Sequence, residues 1–449
     1  MQRSHLPAGP TAHIPGIDGL RAVAVVSVML YHLRPTLLPG GFSGVDVFFV
    51  ISGYVVSASL ARDGDKGFLH FLGDFYARRI VRIFPALVAC LVITSFATML
   101  FIPEAWLSIA NQQTGRYAFF GLSNFALIWS SDGYFSPRVE FNPFVQTWSL
   151  AVEEQFYLFF PLVFFTWLRL KERQDRLRFL GHGLLVTLLS LSLIHAAKTT
   201  VGNPDHAYYL LPSRFWELAS GALLFQLHAR GWLIPNSRVL TTGMLMSGGL
   251  LIAAAFTYSK HLAFPFPGAL LSVTGSVLLI AGVTSSPTAR SPLIGLLDNP
   301  ITVLIGKLSY SLYLWHWAVY VLFRWTVGLE SALLIASAIG LTIIFACCSF
   351  YGLENPLRQS HIIKNQPTWR ITVGGLATIF CCWWVAGGIF AAQPRYSLSV
   401  TKDRTTWFPY AWPLQANPNA TQCQVKSEVR PLDGATVQIF SRTPCTASP

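Results

Sequence analysis

Two ionisable side chains share one face of the first apolar segment, which reads GIDGLRAVAVVSVMLYHL. Arg21 and His32 are eleven residues apart, which is about three turns of an α-helix and roughly 16 Å along its axis. Ionisable groups inside a bilayer are costly, so they are candidates for function. A histidine can act as a general base near neutral pH, but it can also serve helix packing through a hydrogen bond. The spacing leaves both roles of His32 open.

A cluster of arginines precedes the third apolar segment, in the motif FYARRIVRIFPAL. Arg78, Arg79 and Arg82 fall within about one helical turn. Their guanidinium groups together could bind the phosphates of a ligand, because Arg presents a rigid fork of donors. Basic residues beside an apolar segment are also typical of topology anchors. The motif by itself does not separate these two roles.

Further ionisable residues recur at one depth along several apolar segments. If the N-terminus is cytoplasmic, they all fall nearer the outer face of the membrane. Arg214 and Glu217, three residues apart on a helix, could also form a pair. Single interfacial residues often only extend to water, but a shared depth favours a common polar cavity. The set consists of His32, Asp46, Glu153, Arg214, Glu217 and His316.

The inner and outer clusters suggest two halves of one reaction. The inner arginines suit a phosphate-bearing donor from the cytoplasm, and the outer histidine and carboxylates suit proton transfer at an acceptor hydroxyl. We expect His32, oriented by Glu153, to activate a hydroxyl that attacks a thioester at the end of a pantetheine-like arm. Trp148 lies near the same depth, where it could stack on a sugar ring or belong to an interfacial aromatic belt.

Composition assigns these residues to a helical membrane protein. Of 449 residues, 53% are hydrophobic and only 12% are charged, whereas soluble domains carry roughly 25% charged residues. A large soluble protein is disfavoured, because buried helices seldom run roughly 20 residues without charge. The predicted fold class is an all-α polytopic membrane protein with about ten transmembrane helices in one bundle and an eleventh C-terminal helix. The predicted spans are about 17–37, 44–60, 82–102, 144–167, 180–197, 209–228, 240–257, 265–283, 300–323, 331–351 and 371–392.

One stretch, residues 116–130, is too short and broken for a span. We expect it to form a re-entrant or interfacial helix within a long loop.

The distribution of basic residues predicts the orientation. Residues 62–82 and 169–178 hold five Lys or Arg each, whereas the loops on the other side hold only six between them. Such a bias places the basic loops and the N-terminus in the cytoplasm. The odd number of predicted spans then places the C-terminal tail outside, which is the periplasm in a Gram-negative cell. The bias also explains the net charge of +12 without nucleic acid, because the charges lie along the membrane edge and not in one patch.

Cysteine usage predicts no metal site. The sequence contains no CxxC motif and no Cys/His spacing of the kind that binds metal, so no metal is expected. Cys423 and Cys445 lie in the polar tail and could pair in an oxidising compartment.

Six motifs resemble those of the membrane acyltransferase-3 family, in the same order, over about residues 14–358. They are IDGLRAVAVVSVMLYH, GGFSGVDVFFVISGY, FYARRIVRIFPAL, QTWSLAVEEQFYLFFP, RFWELASGALL and YSLYLWHW. The resemblance implies O-acylation of lipopolysaccharide O-antigen, exopolysaccharide, peptidoglycan or small glycosides from cytoplasmic acetyl-CoA. It implies His32 as the essential catalytic histidine. It also implies that Arg21, Arg78, Arg79 and Arg82 bind the donor.

The resemblance also suggests a domain organisation. We expect a membrane acyltransferase domain at 1–358, a cytoplasmic linker at 359–370, an additional transmembrane helix at 371–392 and a periplasmic tail at 393–449. Some family members continue into a periplasmic hydrolase-like domain with a Ser-Gly-Asn-His catalytic set. The nucleophile motif of that domain is missing here, so the tail is interpreted as a linker or the truncated start of a further domain.

The expected function is therefore acyl transfer in the bacterial inner membrane, from acyl-CoA to a hydroxyl of a cell-surface glycan or glycolipid. A proton-coupled transporter or flippase is the main alternative, because intramembrane His, Asp and Glu also suit proton coupling. It is disfavoured by the lack of obvious inverted repeats and of paired broken helices. A receptor or scaffold is a third possibility, and it has little need for charge within the membrane.

Overall fold

The computed structural model describes most of the chain in side-chain detail and two strands near the C-terminus by their backbone. The chain divides into two compact units, Met1–Lys402 and Asp403–Pro449. The described residues are 14–103, 107–130, 134, 139–171, 179–231, 237–258, 262–285, 291–399, 425–432 and 435–442.

Helices make up most of the described part of the first unit. A 3-10 turn at Gly41–Ser43 precedes the second helix, another lies at Val139–Phe141, and a π-helical turn lies at Phe350–Glu354. In chain order the helices are α1 (Pro15–Leu33), α2 (Gly44–Ala61), α3 (Phe68–Phe101), α4 (Leu107–Ala118), α5 (Ser123–Trp129), α6 (Thr147–Lys171), α7 (Leu180–Gly202), α8 (Pro204–Tyr209) and α9 (Leu211–Ala229). They continue with α10 (Arg238–Tyr258), α11 (Ala269–Ser285), α12 (Pro292–Leu297), α13 (Pro300–Thr326), α14 (Ala332–Ser349), α15 (Asn355–Gln359), α16 (His361–Lys364), α17 (Thr368–Ala391) and α18 (Gln393–Tyr396).

The described part of the second unit is one antiparallel strand pair, β1 (Val425–Leu432) and β2 (Ala435–Arg442). Val425 lies opposite Arg442, and Leu432 lies opposite Ala435. Cys423 and Cys445 lie outside the described residues, so their pairing stays a prediction.

The predicted fold class is confirmed: the chain is an all-α polytopic membrane protein. Among the described residues, seven helical segments are long and apolar enough to cross a bilayer. Three more, α6, α9 and α13, are of similar length but less apolar, and α11 is a shorter apolar helix. Each of the eleven predicted apolar segments coincides with one of these helices.

The arginine motif lies inside a helix and not in the loop before it. α3 begins at Phe68, fourteen residues before the predicted start of the third span. Hydropathy detects only the apolar part of a helix, whereas Arg and other straight-chain residues continue it readily beyond the membrane edge. The helix therefore holds Arg78, Arg79 and Arg82 on a rigid frame.

The stretch predicted as one re-entrant or interfacial helix consists of the end of α4 and all of α5. The two short helices meet at a turn in which Gly121 has a φ of 65°. Glycine adopts this left-handed conformation without steric cost, so the chain can reverse there. A Cβ at this position would also meet the carboxylate of Glu154.

Glycines set the close approach of the helices that carry the site. A Cβ on Gly306 of α13 would meet the backbone of Asp18 in α1, and one on Gly53 of α2 would meet the backbone of Leu218 in α9. Small residues allow such contacts between membrane helices. α1, α13, α2 and α9 are thereby packed backbone against backbone, which fixes the side chains that they share.

Candidate active site

A cavity of about 550 Å³ lies between α1, α2, α3, α6, α13 and the segment 350–359. Its wall combines apolar and aromatic side chains with a small set of ionisable groups, as is typical of small-molecule sites. We call the part of the cavity that contains the basic residues the arginine end. The acidic and basic residues that line the cavity are Asp18, Arg21, Arg79, Arg82, Glu153, Glu154, Lys307, Glu354 and Arg358.

The arginine end offers positive charge to a ligand. Arg21 Nη1 lies 2.9 Å from Asp18 Oδ1. The guanidinium carbon of Arg79 lies 4.9 Å from the ring centre of Tyr157, a cation–π contact. Within the described part of the chain, neither Arg79 nor Arg82 forms an ion pair with a carboxylate. Their charge is therefore available to an anion in the cavity.

Arg78 does not line the cavity with its two neighbours. Its Nη2 lies 2.5 Å from Asp63 Oδ2, in the loop between α2 and α3, and Lys66 Nζ lies 2.8 Å from Asp63 Oδ1. Burial alone would raise the pKa of Asp63, but the hydrogen bond from Lys66 and the charge of Arg78 bring it below its ordinary value.

The ion pair with Asp63 separates Arg78 from the other two arginines. Around the helix, Arg82 lies about 60° from Arg79 and about 40° from Arg78, so helical spacing alone would leave all three on one broad face. Arg79 and Arg82 line the cavity, whereas Arg78 is directed to Asp63.

A buried histidine pair lies beyond the other end of the cavity. His32 Nδ1 lies 2.9 Å from His316 Nε2, and His316 Nδ1 lies 3.1 Å from the carbonyl oxygen of Leu312. The rings stack with centres 5.2 Å apart and an angle of 6° between their planes. His32 Nε2 lies 2.8 Å from the hydroxyl of Tyr134. We call this group the histidine end.

These contacts fix the tautomer of His32. A carbonyl oxygen can only accept, so Nδ1 of His316 carries a proton, and Nε2 of the neutral ring accepts. His32 then donates from Nδ1, and its Nε2 is left with a lone pair directed at the Tyr134 hydroxyl. The arrangement makes His32 Nε2 a base.

Aromatic rings and one arginine close the histidine end. Trp317 meets the His32 ring edge-on at 4.5 Å, and Trp148 lies 5.9 Å from the Tyr134 ring. Arg324 donates to the backbone oxygen of His32, which ties α13 to the end of α1. Trp148 is only 1% exposed, so it belongs to the core around Tyr134 and not to an interfacial belt.

The cavity stops one aromatic ring short of the histidine pair. Its innermost polar residues are Ser149 and Tyr313, whose hydroxyls are 2.7 Å apart. Tyr313 also donates to the carbonyl oxygen of Gln146 at 3.1 Å. The Tyr313 ring centre lies 5.5 Å from that of His316. Ser149 and Tyr313 therefore form an inner wall between the two ends.

Sequence comparison places this arrangement in a family. A model of the acyltransferase-3 family, described as "Acyltransferase domain", matches residues 14–387. The chain belongs to this acyltransferase family. The match continues past residue 358 into α17.

The chain is similar to O-acetyltransferases of Staphylococcus aureus. It is 32% identical over 365 residues to a protein of strain COL named "Putative O-acetyltransferase", covering 80% of this chain and 59% of that protein. It is 30% identical over 354 residues to "O-acetyltransferase OatA" of strain NCTC 8325 / PS 47, covering 77% of this chain and 57% of that protein. The chain thus spans about three fifths of the length of these curated relatives. No solved structure matches it.

Glu153 does not orient the histidine of this acyltransferase-family chain, contrary to the expectation from sequence. It accepts hydrogen bonds from Ser52 Oγ at 3.0 Å and from Tyr157 at 2.7 Å, and it lines the cavity. It lies five residues after Trp148 on α6, roughly 7.5 Å further from the histidine end. His316 occupies the position beside His32 that the sequence analysis gave to Glu153.

Asp46, Arg214 and Glu217 form a closed ion cluster and do not line the cavity. Arg214 Nη1 lies 3.1 Å from Asp46 Oδ1 and 2.7 Å from Glu217 Oε1, and all three side chains are at most 1% exposed. Ser272 donates to Asp46 at 2.8 Å, and Arg214 Nε donates to Tyr208 O at 2.9 Å. The predicted pairing of Arg214 with Glu217 is confirmed. The cluster joins α2, α9 and α11 and supports the Tyr208 ring, which stacks on Tyr134.

Several residues of the site had no separate signal in the sequence. Tyr134 lies outside every predicted span, so no periodicity indicated its position. Lys307 and Arg358 had the pattern of ordinary basic residues at the membrane edge. Tyr313 and Ser149 were indistinguishable from other polar positions on apolar helices.

Proposed function

We propose that the chain is an integral membrane O-acyltransferase, which moves an acyl group from acyl-CoA to a hydroxyl of a cell-surface glycan. The acyl group that we propose is acetyl. The observation that carries this proposal is the placement of a cation-lined cavity against a histidine whose Nε2 is held as a base. The relatives named O-acetyltransferase support the same reaction class.

The donor occupies the cavity with its phosphates at the arginine end. Arg21, Arg79 and Arg82 bind the phosphates, since guanidinium groups form charge-assisted hydrogen bonds with them. The pantetheine arm extends along the apolar wall towards Ser149 and Tyr313. Arg21 and His32 are eleven residues apart on α1, roughly 16 Å, which is the span that the arm must bridge.

The acceptor hydroxyl takes the position of the Tyr134 hydroxyl beside His32. His32 Nε2 removes its proton while the oxygen attacks the thioester carbonyl carbon, and the carbon–sulfur bond then breaks. The thiolate of coenzyme A leaves and takes the proton from the His32 imidazolium. His316 accepts the hydrogen bond from His32 Nδ1 throughout, so it acts as a positioning residue.

Transfer requires the inner wall to open. The thioester carbon and the acceptor oxygen must come within about 3.5 Å, whereas the Tyr313 ring separates the cavity from the histidine pair. Rotation of Tyr313 would break its hydrogen bonds to Ser149 and Gln146. The wall thus keeps the thioester away from His32 until the donor is seated.

The acceptor side faces the periplasm in this proposal. The bias of basic residues supports a cytoplasmic N-terminus and an arginine end that faces the cytoplasm from a bacterial inner membrane. The acceptor is then a glycan or glycolipid that is exposed on the opposite side, such as lipopolysaccharide O-antigen or an exopolysaccharide.

Radiolabelled acetyl-CoA supplied to membranes that contain the chain tests the proposal. The label should appear on the glycan with the wild type and be lost with His32→Ala. His195→Ala is the matched control, because His195 is an exposed histidine on α7, and it should retain transfer. Glycan movement across the membrane without any label on the glycan would instead favour the transporter.

A further inference from the structure

We propose that Lys307 and Arg358 form a second anion subsite at the mouth of the cavity, which binds the ribose 3′-phosphate of coenzyme A. The deeper arginines would then bind the diphosphate. This assignment rests on the proposed acyl-CoA donor. It adds a reason why the chain would prefer a donor that carries the 3′-phosphate over one that lacks it.

The basic residues of the cavity lie in two tiers. Lys307 and Arg358 are exposed, although both line the cavity. Arg79 and Arg82 are half-buried, and the Arg21 side chain is only 18% exposed. The two exposed side chains therefore mark the mouth, and the three arginines lie deeper.

The two outer cations belong to separate elements that line the same cavity. Lys307 follows Gly306, whose contact with Asp18 packs this part of α13 against α1. Arg358 belongs to α15, which follows the π-helical turn Phe350–Glu354. Turns of this kind are frequent at functional sites.

The π-helical turn is anchored to α13 by a side chain. Ser311 donates to Glu354, and Glu354 is only 4% exposed. In the described part of the chain, neither Lys307 nor Arg358 forms an ion pair with a carboxylate. Glu354 is thus engaged in holding the segment, and both cations at the mouth are available to a ligand.

The order of groups along coenzyme A matches the two tiers. From the thioester outward, the molecule carries the pantetheine arm, the diphosphate and then the ribose with its 3′-phosphate. A donor that inserts its thioester first must leave the diphosphate deeper than the 3′-phosphate. The tiers therefore assign one phosphate group to each set.

Equilibrium binding of coenzyme A and of dephospho-coenzyme A, which lacks the 3′-phosphate, tests the subsite. The full chain is measured in lipid nanodiscs by calorimetry. The wild type should bind coenzyme A about tenfold more tightly or better, since two cations contact the extra phosphate. The double variant Lys307→Gln/Arg358→Gln should lose this preference and bind both ligands as the wild type binds dephospho-coenzyme A. That unchanged affinity also shows that the variant is folded.

A matched control separates the subsite from general charge. Lys364→Gln/Arg370→Gln lowers the net charge equally at two exposed positions outside the cavity lining, and it should keep the preference. Equal weakening of both ligands by the mouth variant, or loss of the preference in the control, would overturn the subsite. A wild type that binds both ligands equally well also overturns it but leaves the donor intact. If the wild type binds neither ligand, the proposal that acyl-CoA is the donor is itself contradicted.

Discussion

The two ends of the site are built on opposite principles. At the arginine end, half-buried cations line open space and lack carboxylate partners in the described part of the chain, apart from the contact of Arg21 with Asp18. At the histidine end, the ring nitrogens of both buried histidines have partners within 3.1 Å. An unpaired cation beside a cavity provides binding free energy for an anion, whereas a satisfied network fixes one geometry. The difference suggests that one end binds and the other end reacts.

The strongest test of this division is His32→Ala. Turnover should fall by about 10²- to 10⁴-fold, the usual contribution of general acid–base catalysis, while the affinity for coenzyme A stays at the wild-type value. Transfer to the glycan and calorimetric binding are measured on the same preparation. Loss of donor binding in this variant would contradict the separation of the two ends.

Arg214→Met should destabilise the bundle, although Arg214 neither lines the cavity nor bonds to the histidine pair. It leaves the buried carboxyl groups of Asp46 and Glu217 without their cation, which costs about 3–5 kcal/mol when one partner of a buried pair is removed. Thermal unfolding in detergent should show the loss of stability. A variant with wild-type stability and reduced glycan affinity would return Arg214 to an acceptor-binding role.

His316→Ala tests whether His316 fixes the tautomer of His32. Without an acceptor for Nδ1–H, His32 can carry its proton on Nε2. Activity should fall by about 10- to 100-fold, the loss typical when the hydrogen-bond partner of a metal-ligating histidine is removed. His316→Gln, whose amide oxygen can accept from Nδ1–H, should restore part of the activity. The pH–rate profile should shift in the alanine variant but not in the glutamine variant. An unshifted profile, or no rescue by glutamine, would leave His316 with a packing role only.

Neighbouring arginines provide a matched pair at the other end. Arg79→Gln should raise the KM for acyl-CoA about tenfold and leave kcat nearly unchanged, since it removes a charge-assisted contact with the donor. Arg78→Gln removes the same charge one residue earlier, where the guanidinium pairs with Asp63, and it should leave KM near the wild-type value. Equal increases in KM would mean that both act through long-range charge.

The smallest expected effect is a loss of stability from breaking the ion pair between Asp63, in the loop before α3, and Arg78 of α3. The pKa of Asp63 in the folded state lies below its ordinary value. Ionised Asp63 therefore contributes fully to the free energy of unfolding at a pH above its unfolded pKa of about 3.9. This contribution is lost as the pH falls through the lower folded value. Asp63→Asn should cost at most about 1 kcal/mol of unfolding free energy at neutral pH, since the Arg78 side chain is 44% exposed and the pair is screened by solvent. The difference in melting temperature from the wild type should vanish in acid.

The sequence by itself determined the membrane fold, the helices that carry the ionisable residues, and the choice of His32 and the arginine motif as candidate site residues. These follow from hydropathy, helical spacing and motif residues, which are properties of short stretches of chain. It also determined that Arg214 and Glu217 could pair, because three residues separate them on one helix.

Only the tertiary structure decided which residues meet. His32 and His316 are 284 residues apart, and they touch because α1 and α13 pack closely at Gly306. The packing of the bundle also pairs Glu153 with Ser52 and Arg78 with Asp63. It places Lys307 and Arg358 in the lining of the same cavity. Periodicity gives the face and height of a residue on its own helix. The rotation and register of that helix against its neighbours depend on packing across the whole bundle, and no local pattern encodes them.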